Sequence, residues 1–96
     1  MRESVPALIK QLEWCEEDCR SIIDALARAG DPAALEPLSA KLADPVLADT
    51  AAGAIATIAT RADSRGRAIK LLERGLGDAD PAARGAIEAS IAVLRR

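Results

Sequence analysis

A short motif recurs in phase with the helical pattern along this 96-residue chain and constrains its fold more than any other feature. Asp44-Pro45 opens a stretch that contains Ile55, and Asp80-Pro81 opens another that contains Ile91, with 36 residues between equivalent positions. A third and less regular copy ends at Gly30-Asp31-Pro32. A unit of this length cannot bury its apolar face alone, so we expect neighbouring units to stack.

Composition indicates that the units are helical. Half of the residues are hydrophobic, and Trp14 is the sole aromatic residue. Alanine and leucine, which are strong helix formers, dominate the apolar set, whereas the aromatic and β-branched residues that favour strands are few. The sequence therefore predicts an all-α fold. We expect a short α-solenoid of about three antiparallel helical hairpins, wound as a right-handed superhelix of the ARM type.

Capping and breaking residues predict the ends of six amphipathic helices. Ser4 is the expected N-cap of the first helix, and the second is expected to run from about Glu16 to Ala29, where Gly30 stops it. Asp31 caps the third helix, and Pro37 should kink that helix or delay its regular start.

The same signals define the second half of the chain. Asp44-Pro45 opens the fourth helix, which reaches about Thr60, and the fifth begins at about Arg65. Glycine is a helix breaker, so the fifth helix is expected to end in the segment Gly75–Asp78, where Gly77 also lies. Asp80-Pro81 opens the sixth helix. Core positions align as Leu12, Leu42 and Leu76; as Leu26, Ile55 and Ile91; and as Ala29, Ile58 and Leu94.

These motifs resemble the HEAT-like repeat of the phycobilisome-lyase type. The resemblance rests on Gly30–Leu38 (GDPAALEPL), on Leu42–Pro45 (LADP) and on Ala51–Ile55 (AAGAI). It implies a single repeat domain over residues 1–96, with units at approximately 4–30, 31–62 and 63–96, and it is nearly silent on activity. The segment Glu13–Asp18 replaces the Asp-Pro start in the first unit, as expected for an atypical terminal cap.

The residue types available argue against catalysis. The chain has no histidine, which removes the usual general base, the catalytic triads and most catalytic zinc sites. Its glycines do not form a phosphate-binding loop. We therefore expect no enzyme activity, no cofactor and no metal.

Cys15 and Cys19 are four residues apart and would share one face of a single helix. A disulfide within one helix is geometrically awkward, and a structural zinc site would need a second pair of ligands. The acidic residues Glu16, Glu17 and Asp18 would raise the thiol pKa. The sequence favours buried or half-buried structural thiols, with redox or intermolecular pairing as the alternative.

Charge is small overall but unevenly distributed. The formal net charge is −2, which argues against a general nucleic-acid or membrane partner. Residues 1–32 carry a net −3, residues 33–64 a net −2 and residues 65–96 a net +3. There is no apolar run of about 18 residues and no signal-peptide core, so a cytoplasmic location is expected. The basic residues of the C-terminal third leave backbone binding to nucleic acid as an alternative function: Arg61, Arg65, Arg67, Lys70, Arg74, Arg84, Arg95 and Arg96.

The second helix of each unit usually lines the concave face of a HEAT-like stack. Outward positions on these helices, by phase with the core stripe, give the predicted partner-binding residues: Arg20, Asp24, Arg28, Asp49, Gly53 and Thr57. Trp14 is expected either to cover the N-terminal end of the stack or to anchor a partner, as tryptophan does at hot spots. Gly53 and Ala89 are small enough to let a partner helix approach closely, or serve packing within the stack.

The sixth helix is unusually apolar for a terminal repeat, which should expose a polar face. Four of its residues form the predicted end-to-end interface of a homo-oligomer: Ala82, Ala86, Ala89 and Val93. The leading interpretation is a small non-catalytic protein-interaction module, such as an adaptor, a regulatory subunit or an immunity-type inhibitor. The alternatives are nucleic-acid binding and an accessory subunit of a lyase-type enzyme.

Overall fold

The computed structural model describes residues 5–15, 19–44, 46–79 and 81–95, and all regular structure in these ranges is helical. This confirms the all-α prediction. The expected roles of Ser4, Glu16, Pro45 and Asp80 lie outside the described residues. Six α-helices follow one another: α1 Val5–Trp14, α2 Cys19–Ala29, α3 Leu35–Ala40, α4 Ala48–Ala62, α5 Arg65–Asp78 and α6 Pro81–Leu94.

The turn between α2 and α3 follows the predicted chemistry. Gly30 adopts a left-handed φ of 68°, and its N–H donates to the Leu26 carbonyl at 3.1 Å, which ends α2. Asp31 then accepts a hydrogen bond from the Ala33 N–H at 2.9 Å through its carboxylate. This bond caps a short 3₁₀ segment, Pro32–Ala34, that leads into α3. Gly30 and Asp31 together therefore reverse the chain between the two helices.

Pro37 delays the regular start of the third helix, as predicted. The chain passes through the 3₁₀ segment before α3 begins at Leu35, so Pro37 is the third residue of the α-helix. At that position its missing N–H is one of the groups that have no intrahelical acceptor. A second 3₁₀ segment, Lys41–Ala43, follows α3 directly.

The fifth helix ends at Asp78, within the predicted segment, but the predicted break at Gly75 and Gly77 is wrong. Helix α5 continues through Gly75 and Gly77 to Asp78. A Cβ added at Gly75 would lie 2.7 Å from Leu42 Cδ1 and 3.3 Å from Leu42 Cβ. Gly75 therefore serves close packing between α5 and the segment that follows α3, and this packing outweighs the low helix propensity of glycine.

Helix α4 lies at the centre of the molecule and packs against α2, α3, α5 and α6. It can be surrounded in this way because its buried positions are mostly alanines, whose small side chains let neighbouring helices approach. The buried residues of α4 are Ala48, Ala51, Ala52, Ala54, Ile55, Ile58 and Ala59. The other main contacts between α-helices join α1 with α2, α5 with α6, and α3 with both α1 and α5.

The aligned core positions are buried, with two exceptions. Leu12, Leu42, Leu26 and Ile55 are each at most 1% exposed. Ile58, Ile91 and Leu94 are also buried, whereas Leu76 is half-buried. Ala29 is exposed, so its assignment to the core is wrong. The chain turns at Gly30 immediately afterwards, which leaves Ala29 at the open end of α2.

No helix among the described residues is both long and apolar enough to span a membrane.

Candidate partner-binding surface

Two arginines hold α2 and α4 side by side and parallel. Arg20, near the start of α2, donates to the Val46 carbonyl just before α4 at 3.2 Å. Arg61, near the end of α4, donates to the Arg28 carbonyl near the end of α2 at 2.9 Å. Because the bonds join start to start and end to end, the two helices run in the same direction.

The six predicted partner-binding residues are all exposed on this pair of helices. Arg20, Asp24 and Arg28 follow one another at intervals of four on α2, opposite its buried residues. Asp49, Gly53 and Thr57 do the same on α4. We call these six residues the α2–α4 face. The structure thus brings the predicted residues together on two adjacent and parallel helices.

Several side chains of the α2–α4 face already have partners within the chain. The Arg20 guanidinium is bound to the Val46 carbonyl, and the Asp49 carboxylate accepts the Thr50 N–H at 2.8 Å. The Thr57 hydroxyl donates to the Gly53 carbonyl at 2.9 Å. Among the described residues, no hydrogen bond or ion pair involves the Asp24 carboxylate or the Arg28 guanidinium. Asp24 and Arg28 are therefore the charges of this face that remain available to a partner.

Gly53 is not required for packing within the molecule. A Cβ added at this position would meet no atom within 4 Å. The interpretation that Gly53 serves packing within the stack is therefore wrong, and the exposure of Ala89 rules out that interpretation for Ala89 as well. A glycine in the interior of a helix costs about 1 kcal/mol relative to alanine. Nothing in the described part of the chain offsets that cost at Gly53.

A shallow groove between α4 and α6 continues the α2–α4 face. It has a volume of about 320 Å³ and is lined by Ala56, Thr57, Thr60, Arg61 and Val93. The Thr60 hydroxyl donates to the Ala56 carbonyl at 2.9 Å, as the Thr57 hydroxyl does to Gly53. Both hydroxyls are satisfied by the backbone, so the groove presents mainly apolar groups. The charged side of the face lies on α2 and the apolar side next to α6.

The predicted end-to-end residues on α6 are placed on its outer side. Ala82, Ala89 and Val93 are exposed, and Ala86 is half-buried. Val93 is 45% exposed, which is high for a large apolar residue. The opposite side of α6 is buried through Ala83, Ile87, Ser90, Ile91 and Leu94. An apolar outer side is therefore present, and whether a second copy covers it stays a prediction.

Trp14 does not cover the core. It is the last residue of α1, and it is 83% exposed. The interpretation that this ring closes the N-terminal end of the stack is therefore wrong. Its role as a partner anchor stays a prediction. The acidic Glu16, Glu17 and Asp18 that follow it in sequence lie outside the described residues.

The two cysteines form a disulfide bond, which corrects the prediction of free structural thiols. That prediction placed both cysteines on one helix. In the structure α1 ends at Trp14 and α2 begins at Cys19, so the pair bridges two helices, with Cα atoms 5.3 Å apart. Acidic residues are favoured near the N-terminus of a helix, so the acidic residues between the cysteines were a sequence signal that a new helix starts there. A cavity of about 310 Å³ beside the disulfide is lined by Cys15, Cys19, Arg20, Lys41, Asp44, Val46 and Leu47.

Val46 is a surface residue that the sequence reasoning did not identify. It lies in the turn before α4, and it is 64% exposed. Its N–H donates to the Asp44 carboxylate at 2.9 Å, and its carbonyl accepts the Arg20 bond. Both backbone groups are thus fixed while the apolar side chain stays in solvent at the edge of the α2–α4 face. The repeated Asp-Pro-x motif, which always exposes its third position, was the available signal.

Two arginines of the basic C-terminal third are paired with carboxylates. Arg67 contacts Glu36 at 3.1 Å, and Arg95 contacts Glu73 at 3.1 Å. These side chains are about half exposed or more, so each pair contributes at most about 1 kcal/mol. The pairs nevertheless reduce the positive charge offered to a phosphate backbone. Arg61 is also engaged, through its bond to the Arg28 carbonyl.

No cluster of three or more metal-binding side chains occurs in the described ranges. No protein-family model, no curated protein and no solved structure shows significant similarity to this chain. The HEAT-like resemblance therefore stays a prediction.

Proposed function

We propose that this chain is a small non-catalytic protein-interaction module that binds a partner protein on the α2–α4 face. We further propose that its three helical hairpins form a short HEAT-like α-solenoid. The order of packing supports this arrangement, because α2 and α6 both pack on α4 while α3 packs on both α1 and α5. In that arrangement residues 1–96 form one domain, and the α2–α4 face is its concave side.

The observation that carries the proposal is the exposed glycine in the middle of α4. Gly53 lowers the stability of a central helix, and no described residue packs into the space that its missing Cβ leaves. A partner backbone or helix that packs closely over α4 would account for it. The free charges Asp24 and Arg28 stand on the neighbouring helix, and the apolar groove toward Val93 lies on the other side. Together the two charges can select a partner of complementary charge, and the groove provides an apolar surface for it to contact.

The experiment is affinity capture from the source lysate, with and without nuclease, followed by mass spectrometry. The test variant is the double reversal Asp24→Lys with Arg28→Glu, which keeps the net charge constant. The matched control reverses two exposed charges on α1 and α5, Glu13→Lys with Lys70→Glu. We expect one protein in stoichiometric amount with the wild type and the control, and its loss with the test variant at an unchanged melting temperature.

Equal recovery with both variants would remove the α2–α4 face from the proposal. Recovery that depends on intact nucleic acid would instead support the basic C-terminal third as a phosphate-binding surface. That alternative predicts a steep fall in affinity between low and moderate salt. An accessory role in a lyase-type enzyme, an immunity-type role and a cytoplasmic location stay predictions, and no described feature favours one of them.

A further inference from the structure

The disulfide between Cys15 and Cys19 joins two helices that are already held together by core packing. Leu8 and Leu12 of α1 lie in the same buried cluster as Ile22 and Leu26 of α2. The sequence separation of the cysteines is 4, so the bond closes a very short loop. Because the stabilisation from a disulfide grows with the length of the loop it closes, this bond lies at the low end of the stabilisation that disulfides provide. Its position suggests another use.

We propose that Cys15 and Cys19 are a reversible thiol–disulfide exchange site for small-molecule thiols, with Cys15 as the sulfur that is attacked. This inference is independent of the proposed partner binding. The cavity of about 310 Å³ beside the bond admits a small thiol. Cys15 is half-buried, whereas Cys19 is only 6% exposed. An incoming thiol therefore reaches Cys15 Sγ more easily than Cys19 Sγ.

The helix start and two cations at Cys19 favour a leaving thiolate, whereas its burial in the core and the acidic Glu16, Glu17 and Asp18 that precede it in sequence oppose one. Cys19 is the first residue of the eleven-residue helix α2, where free backbone N–H groups and the helix dipole favour negative charge. Arg20 and Lys41 line the same cavity and add positive charge, which the Asp44 carboxylate there partly offsets. A leaving thiol that is stabilised as a thiolate departs faster in thiol–disulfide exchange.

The environment of Cys15 suits the reduced state. Its sulfur lies 3.1 Å from the Leu12 carbonyl oxygen, within α1. After reduction the Cys15 thiol can donate to this oxygen without a change in the backbone. Cys19 is buried and is part of the hydrophobic core cluster, where a thiol behaves as a small apolar group. Both sulfurs therefore have a favourable place whether or not they are bonded to each other.

The exchange balances in two steps. A thiolate RS⁻ attacks Cys15 Sγ, the Cys15–Cys19 bond breaks, and its electron pair leaves on Cys19 Sγ. A second thiolate then attacks the R sulfur of the mixed disulfide and releases Cys15 as a thiolate. Two protons from the two thiols end on Cys15 and Cys19, and the products are the disulfide RSSR and the reduced chain. The reverse reaction with RSSR re-forms the bond.

The first test uses the unmodified chain with glutathione as the small thiol. The rate of reduction is measured in native buffer and in urea by alkylation and mass spectrometry, with the fluorescence of the adjacent Trp14 as a second readout. We expect the folded chain to react within about tenfold of the unfolded one, because the attacked sulfur is accessible in the fold. Reduction that is slower than this in the folded chain would overturn the proposal.

The second test identifies the attacked sulfur with two single variants. Cys19→Ser leaves Cys15 alone, and Cys15→Ser leaves Cys19 alone. We expect Cys19→Ser to form a mixed disulfide with oxidised glutathione at least about tenfold faster than Cys15→Ser, since access governs which sulfur reacts. Equal rates, or a faster Cys15→Ser variant, would refute Cys15 as the attacked sulfur. Circular dichroism checks that both variants are folded, and the first test needs no variant.

Discussion

Replacing Gly53 with alanine should make the protein more stable. Gly53 is the sixth residue of the fifteen-residue helix α4 and is exposed, and an added Cβ would meet nothing within 4 Å. The substitution therefore leaves packing unchanged and removes the entropic disadvantage of glycine, which is about 0.8–1.0 kcal/mol in a helix interior. For a domain of this size, that gain raises Tm by about 4–8 °C.

Gly75→Ala provides a matched control, since the same atoms are added to a neighbouring helix. At Gly75 the new Cβ would lie 2.7 Å from Leu42 Cδ1, and Leu42 is 1% exposed and tightly held. Overpacking of this kind costs about 1–3 kcal/mol, which equals or exceeds the gain in helix propensity. The net change should therefore lie between about 0 and 2 kcal/mol of destabilisation.

Urea denaturation followed by circular dichroism measures both effects. The m value should stay constant for both variants, because neither changes the surface exposed on unfolding. A Gly53→Ala variant that is less stable than the wild type would refute the conclusion that this position is open. If the α2–α4 face binds a partner, the same variant should bind it more weakly despite its higher stability. Unchanged binding would place the contact away from Gly53.

Two further predictions concern the disulfide and the core. Replacing both Cys15 and Cys19 by alanine, which buries no hydroxyl at position 19, should lower the free energy of unfolding by about 2 kcal/mol, the value that chain entropy gives for a loop of about five residues, and leave the chain folded in a thermal melt. Leu26→Ala should cost about 2–5 kcal/mol because Leu26 is fully buried, whereas Leu76→Ala, at a half-buried position, should cost clearly less in urea denaturation. Equal losses for the two leucine variants would contradict the burial argument.

The helices and most of the core could be predicted because their signals are local or periodic. Asp31 and Gly30 define a turn through their own backbone preferences, and Leu26 and Ile55 recur in phase with a helix. These preferences act within a few residues, so they need no knowledge of neighbouring helices. The exposed residues of the α2–α4 face follow from the same periodicity, because they lie opposite the buried stripe.

The features that could not be predicted depend on contacts between distant segments. The sequence alone indicates a helix break at Gly75, because the close contact between Gly75 and Leu42 is visible only in the structure. The exposure of Trp14 depends on where α1 ends relative to the core, and tryptophan is highly buried on average. The prediction of free thiols was wrong for a related reason. On one helix a disulfide between residues four apart is geometrically awkward, whereas across the junction between α1 and α2 the same spacing allows the bond.

The alanines of α4 limit how the sequence of this protein can drift. Four helices pack against α4, and most of its buried residues are alanines, so a larger side chain at the fully buried Ala51 or Ala52 would push a neighbouring helix outward instead of filling a gap. Substitutions on one neighbour can rarely compensate, because the same helix touches three others. Descendants of this chain should therefore keep α4 nearly constant and diversify through the outer surfaces of α2 and α6, where new specificities can arise without disturbing the centre.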